Sequence, residues 1–475
     1  MEMNEFKGYF KGYLSDYRIE KRAEQVMNKM FKSGTVVVNK FCSTFREKKA
    51  AYGLFKNASF TEMELINSLT AKCKENQGSG HLLCIQDTTE INYSSHINRI
   101  GTDDQGVGPI TRNDNAGFFC HPMLIIDSEQ QMPLGFSSVQ LWNRSWDKKD
   151  KHARKYYNQD IEDKESYRWL KAPEETKEVL SETSTLTIIG DRESDIYEEL
   201  VSVPDEQTHL LIRSSINRRL YQQDCKLFEH FEPLPSAIEY ELPVKHNKKR
   251  KNRIAKLTLK FTQVKLSRPQ KSRLNEYPEY VEMWAIEAHE LAETVPENEE
   301  PIIWRLLTTH PVEDVQSALQ CIEWYAQRWI IEELFRVIKS KGLQIEASQL
   351  ETGAALKKQL VMALQVALTT MSLKLAYDNN HKIKASVLFS EDEIVFMEAL
   401  SKTLEGNTQK QKNPFDPETL AYCSWVCARL SGWSGYASQG KPGYISIKQG
   451  LDKFKIKYEG YRLAMSILNN NNSKE

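Results

Sequence analysis

Two aspartates and one glutamate stand where a chain could hold metal ions. Asp87 ends the apolar run HLLCIQD (81–87), Asp191 ends TLTIIGD (185–191), and Glu332 lies within YAQRWIIEELFRVIKSK (325–341). Carboxylates delivered by separate elements are hard oxygen ligands. They can hold two divalent ions about 3.5 to 4 Å apart, the arrangement that cuts phosphodiester bonds. An aspartate closing an apolar strand is equally a turn former or a helix N-cap, so the residue types alone admit both readings.

The glutamate's surroundings carry more information. At about 100° per residue, Ile331, Leu334, Phe335 and Ile338 gather on one side of a helix spanning 325–341. Tyr325, Arg328, Glu332 and Lys339 fall within roughly 60° of one another beside that apolar stripe, which predicts the lining of a cleft. Glu333 lies about a quarter-turn further round, off the stripe. The same spacing also suits a solvated flank with an i,i+4 pair between Arg328 and Glu332.

The elements that must position these residues follow from periodicity. From residue 81 the pattern is that of strands: HLLCIQD, the alternating TTEINYS, FFCHPMLIID (118–127) and MPLGFSSVQLW (132–142) predict an antiparallel, hairpin-joined start. TLTIIGDRESDIYEELV (185–201) predicts a buried strand, Asp191 at its exit and then a helix. This order suits a ribonuclease-H-like α/β core. The long stretch between Asp191 and Glu332 holds further alternating segments at 209–215, 237–244, 255–266, 280–288 and 302–310, read as a β-rich insertion at about 205–310. The predicted organisation is three domains: helical at 1–76, catalytic at 77–378, and helical at 379–475. In the first, Ala23, Val26, Met27, Met30 and Phe31 mark an amphipathic helix, Ser59 with Glu62 reads as a capping box, and QGSG (77–80) is the linker. In the last, a polar linker at 406–418 precedes a short helical segment, and the four-Asn tail reads as disordered.

Composition narrows the class. The chain has 475 residues, 40% hydrophobic and 27% charged, which excludes general disorder. Its start carries neither the basic region nor the apolar run of a signal peptide. The apolar segment 360–373 is too short to span a bilayer and reads as a core helix. Eight cysteines without CxxC spacing predict reduced thiols of a cytosolic protein. A net charge of −1 is unusual for a DNA-binding protein, but its distribution is uneven. Residues 245–273 hold twelve Lys and Arg and no acid, whereas 282–300 hold seven Glu and no base, so one surface is expected to be polarised against another. Residues 1–80 carry fourteen Lys and Arg against nine acids.

IQDTTEINYS around Asp87, GDRESDIY around Asp191, and the spacing Tyr325, Arg328, Glu332, Lys339 resemble, in order, the three catalytic blocks of the insertion-sequence-four family of DDE transposases. The similarity continues through GFFCHPMLII, DKESYRWL (163–170), the KRKNR run and WRLLTTHPVEDV (304–315). The resemblance implies cut-and-paste transposition through a DNA hairpin, by a bacterial, cytoplasmic, nucleoid-associated enzyme. Its substrate would be double-stranded DNA, both transposon ends and target. Asp87, Asp191 and Glu332 would be the catalytic acids, holding two Mg²⁺ (or Mn²⁺) ions.

By the same resemblance Tyr325, Arg328, Lys339 and Arg213 would grip phosphates, and Trp304, with Trp329 nearby, would stack a base expelled from the duplex. Lys248, Lys249, Arg250, Lys251 and Arg253 would contact DNA backbone. The stretch AAYGLFKNASF (50–60) is similar to the family's end-recognition domain, and the C-terminal segment would join two copies into the homodimer that pairs two ends. Two other readings stay open: a ribonuclease-H-like nuclease that cuts without joining, and a non-catalytic DNA-binding descendant of a transposase.

Overall fold

The computed structural model describes residues 6–78, 80–100, 104–110, 115–146, 159–244, 250–270, 274–339, 342–379 and 382–472. The chain opens with α1 (Tyr17–Ser33), α2 (Val38–Phe41), α3 (Phe45–Lys56) and α4 (Glu62–Asn76). In α1 the apolar stripe is buried as its spacing predicts, and Gly34 closes the helix in the left-handed region at φ 63°. The capping box of α4 lies two residues beyond the expected one. Thr61 accepts from the Glu64 backbone and Glu64 answers the Thr61 N–H. Ser59 is engaged elsewhere, donating its N–H to Asn57 and accepting from Ser15 at its carbonyl.

The central stretch runs β1 (His81–Gln86), β2 (Thr89–Asn92), α5 (Ile97–Ile100), β3 (Gly108–Pro109), β4 (Ala116–Asp127), β5 (Pro133–Trp142), α6 (Arg168–Val179), β6 (Thr185–Gly190), α7 (Tyr197–Ser202), β7 (Thr208–Arg213), α8 (Leu227–Phe231), β8 (Ile238–Val244), β9 (Arg253–Ser267), β10 (Tyr280–Glu290) and β11 (Ile303–Thr308). All the strands join one mixed sheet, ordered β2-β4-β1-β6-β7-β11-β10-β9-β8, with β3 and β5 also on β4. β6 runs parallel to both β1 and β7, and the remaining pairs are antiparallel. The expected β4–β5 hairpin is present. β1 and β2 do not form one. Both pair with β4, β2 resuming the ladder after a break at Asp87 and Thr88. The inserted strands prolong the same sheet, because β11 pairs with β7 on one side and β10 on the other.

Strand alternation explains why this sheet is covered on both faces. Leu83, Ile85, Leu124, Ile126, Ile189 and Leu211 belong to one buried cluster, shared with the N-terminal helices. Leu82, Cys84, Ile125, Ile188, Leu210 and Ile212, one position out of step, belong to a second cluster beneath α6, α7 and α8.

The chain then forms α9 (Val315–Ala326), α10 (Trp329–Ile338), α11 (Gly353–Asn379), α12 (Glu391–Leu404), α13 (Leu420–Leu430) and α14 (Tyr444–Asn472). The helix expected at 325–341 is therefore two helices. Tight i→i+3 bonds at Gln327, Arg328 and Ile330 separate them, so Tyr325 closes α9 and Arg328 opens α10. α11 carries apolar residues on all its faces because most of its length is buried. Among the described residues it is one helix long and apolar enough to cross a membrane, and 78% of its apolar window is inside the protein. α14 carries helical backbone into the Asn run that reads as a disordered tail, up to Asn472, since propagating an existing helix costs far less than starting one.

The basic and acidic stretches do not form opposed surfaces. β9 and β10 are antiparallel neighbours, so their charges meet: Lys265 with Glu282, Arg253 with Glu290, and Lys256 with Glu293 in the turn after β10. All eight cysteines are free.

Candidate active site

Register places the two aspartates. β1 and β6 pair in parallel with Ile85 opposite Ile189, so Asp87 and Asp191, each two residues further on, leave the sheet side by side. β6 pairs with β7 with Gly190 opposite Ile212, which brings Arg213 level with Asp191. β11 runs the other way, with Leu306 opposite Arg213, so Trp304 enters at the same edge. This is the carboxyl edge of the parallel strands, where α/β sheets bind their ligands.

Glu332 reaches this edge through Arg328. The Arg328 guanidinium donates to Asp87 Oδ2 at 3.1 Å and pairs with Glu332 Oε1 one helical turn away. It is nearly buried and lies over the exposed ring of Trp329. Burial opposes its charge, but Tyr325, Glu332 and Asp87 together outweigh burial and hold Arg328 above the ordinary guanidinium value. Asp87 is pushed up to about 7, first by burial and then by the negative charge of Asp191, with Glu332 adding to it; Arg328 and the Thr88 N–H oppose the rise. Glu333 points away and pairs with Arg336.

Of the other expected residues, the edge gathers some and leaves others out. Buried Tyr325 lies in the field of Arg328, Arg213 and Asp191, and its ring meets that of Trp304 edge-on at 6.0 Å. Trp304 itself is half-buried against the core. Arg213 is half-buried and donates to the Ile303 carbonyl at 3.0 Å. Lys339 stands at the far end of α10, where burial lowers its pKa and its charged neighbours are Glu346 and Glu90, apart from the acid cluster. Lys248 and Lys249 lie outside the described residues. Arg253 is committed to Glu290 and Glu299 at 2.9 and 2.5 Å, Arg250 lies 4.0 Å from Glu290, and the Lys251 N–H donates to Glu299. Of the basic run expected here, Arg253 is thus neutralised by its own neighbours, with Arg250 close to one of them.

Sequence reasoning missed two features. Arg192 and Arg305 join Arg213, Ser214, Ser215 and Phe228 around a cleft of about 300 Å³ beside Asp191. Only the position of Arg192, next to Asp191, could have signalled it. The second is a buried polar chain beneath the aspartates, running from Glu199 through Gln86 and His121 to Thr88 and Arg168. Interior polar residues leave no periodic trace.

Donor chemistry and charge both fit divalent cations: hard carboxylate oxygens, and an Asp87 raised first by burial and then by the negative charge of Asp191. Among the described residues no three acids surround one point at ligating distance. Arg328 occupies the space between Asp87 and Glu332 instead. Residues 172–369, from α6 through α11 and so including Asp191 and Glu332 but beginning beyond Asp87, match the family model of the transposase DDE domain; with the mixed sheet, which is consistent with a ribonuclease-H-like domain, this match supports a DDE transposase.

Proposed function

We propose that the chain is a cut-and-paste DNA transposase of the insertion-sequence-four kind, nicking transposon ends, closing a hairpin and joining the ends to target DNA. The observation that carries this reading is that Asp87 and Asp191 leave adjacent parallel strands side by side and that Arg328 pairs with both Asp87 and Glu332. Asp87, Asp191 and Glu332 would hold two Mg²⁺ or Mn²⁺ ions. Bound there, such ions would lower the pKa of an attacking water or hydroxyl and offset charge on the leaving oxygen.

The chain's own residues do the rest. Arg328 and Arg213 offer planar donors for phosphate oxygens, with Tyr325 close enough to Arg328 to favour its charge. Trp304, half-buried beside Tyr325, offers a ring for a displaced base. Homodimerisation is supported by α14, whose exposed Ile456, Leu463 and Ile467 leave an apolar stripe beyond the core, with exposed Val395 on α12. The enzyme would act on chromosomal DNA in the bacterial cytoplasm.

The test is end-labelled DNA carrying the inverted repeats that flank the coding region, incubated with the purified chain and Mg²⁺. Hairpin and joined products on a denaturing gel support the proposal. Nicks that never join would replace it with the plain nuclease reading.

A further inference from the structure

Glu199 is a buried carboxyl that the proposed reaction does not use. It sits on α7 at 0% exposure, and so do the groups around it: Gln86, Ser194 and His121. One oxygen, Oε1, accepts two hydrogen bonds, from Gln86 Nε2 at 3.2 Å and from Ser194 Oγ at 2.7 Å. The other, Oε2, is buried with no partner. Such an arrangement is costly unless it holds something in place.

What it holds is set by the two donors. Gln86 immediately precedes Asp87, and Ser194 ends the short turn that begins at Asp191, whose own carboxylate caps that turn by accepting from the Glu193 N–H at 2.8 Å. The turn folds back tightly over the strand: a side chain on Gly190 would collide with Ser194. Gln86 is steadied from the far side by His121 Nε2 at 3.2 Å, and His121 in turn meets Thr88 at 2.9 Å. Glu199 therefore bonds to the exits of both aspartate-bearing strands.

We propose that Glu199 is a positioning residue, a carboxyl strut that sets the separation between Asp87 and Asp191 and so the tightness with which they take a divalent ion. The inference rests on the proposed metal-dependent reading of these acids. Burial holds the Glu199 carboxyl well above its usual range, with Asp195 and Asp191 adding to this, which agrees with a proton on the unpartnered oxygen.

Mn²⁺ binding to the full-length protein without DNA, followed by calorimetry, tests this separately from catalysis, alongside thermal melting. Glu199→Ala should weaken Mn²⁺ binding about 10- to 100-fold, the usual cost of losing a group that orients a ligand. Glu199→Gln, with the shape of the protonated acid, should restore it to within a few-fold. Ser194→Ala removes one arm only, keeps the fold, and should weaken Mn²⁺ binding several-fold, so it carries the test if Glu199→Ala does not fold. Wild-type Mn²⁺ binding in Glu199→Ala, or in Ser194→Ala where that variant carries the test, would overturn the strut. So would a loss in Glu199→Gln as large as in Glu199→Ala, since charge would then be the working feature. If the wild-type protein itself took no Mn²⁺, the metal reading of the site would fail instead.

Discussion

Removing the charge of Asp87 should stabilise the metal-free protein while abolishing DNA cleavage. An aspartate whose pKa rises from an ordinary 3.8 to about 7 on folding is held ionised at pH 8 against its surroundings. Each unit corresponds to about 1.4 kcal/mol, so the penalty is roughly 4 kcal/mol above pH 7. The sign follows from linkage. The folded state binds the extra proton between about pH 4 and pH 7, so stability falls as pH rises through that window and is level above it. Asp87→Asn has the shape of the protonated acid and escapes the penalty. Its advantage should be greatest at pH 8 and shrink by about 1.4 kcal/mol per unit below pH 7, nearly vanishing below pH 4.

Calorimetric melting in the presence of a chelator, at several pH values, measures this directly. In a chain of this length the gain amounts to several degrees, using about 2 cal/mol/K per residue for the unfolding entropy. Added Mn²⁺ should raise the melting temperature of the wild type and leave Asp87→Asn little changed. A variant less stable than wild type at pH 8 would refute the reasoning. It would show that the ion pair with Arg328 fully compensates Asp87, leaving no surplus of negative charge for a cation to relieve.

Other outcomes follow from the same geometry. Glu332→Ala should abolish nicking while DNA binding persists, whereas Glu333→Ala should cut at close to the wild-type rate, because Glu333 faces Arg336; the reverse result on a nicking gel would reject the assignment. Trp304→Ala should accumulate nicked DNA and lose hairpin, by the roughly 1 to 3 kcal/mol that base stacking supplies, with only a modest fall in melting temperature; equal loss of both products would make it a packing residue. At the opposite sheet edge, His81 and His310 share the Thr187 hydroxyl at 2.7 Å each, and His209 stacks on His310. Burial first, then the neighbouring histidines, lowers His81 to about 4 and His310 to about 3, so both stay neutral in the fold while the unfolded chain takes up protons. The histidines' own contribution to stability should therefore fall as pH drops below about 6.5, by up to about 1.4 kcal/mol per unit for each, opposing the gain from Asp87 over the same range. A His310→Gln variant that keeps the full acid sensitivity in melting experiments would exclude this source.

The sheet and its exits were legible because they depend on short-range pattern. Apolar runs ending in Asp87 and Asp191 became adjacent parallel strands, and each alternating segment of the insertion became a strand. Each reading of the Arg328–Glu332 spacing holds in part: the i,i+4 pair forms but on a buried arginine that also reaches Asp87, while Lys339 lies apart from the other three. The break between α9 and α10 was hidden, since Gln327 and Arg328 are good helix formers and the turn is set by tertiary packing. Charge counting failed on the insertion for a related reason. Runs of one sign say nothing about which strand lies alongside, and here the acidic strand lies against the basic one. The Glu199 strut could not be foreseen, because Gln86 and Glu199 lie 113 residues apart and only the β1–β6 pairing brings them together.

The pairing of Arg328 also bears on the order of events at the proposed site. One guanidinium cannot span Asp87 and Glu332 and at the same time grip a DNA phosphate in bidentate fashion, because its donors form one planar fork. Nearly buried, it would not leave two acids for water alone, since that would strand carboxylates in a site where Asp87 already resists ionisation. A phosphate offers the guanidinium a new partner, and a cation offers the acids one. Each exchange lowers the cost of the other, so the two ligands should bind with positive coupling. Arg328 would then stand between the acids in the free protein, offsetting part of their charge, and release them when DNA arrives. This accounts for a site whose residues fit divalent ions in charge and chemistry while its acids stand on either side of an arginine.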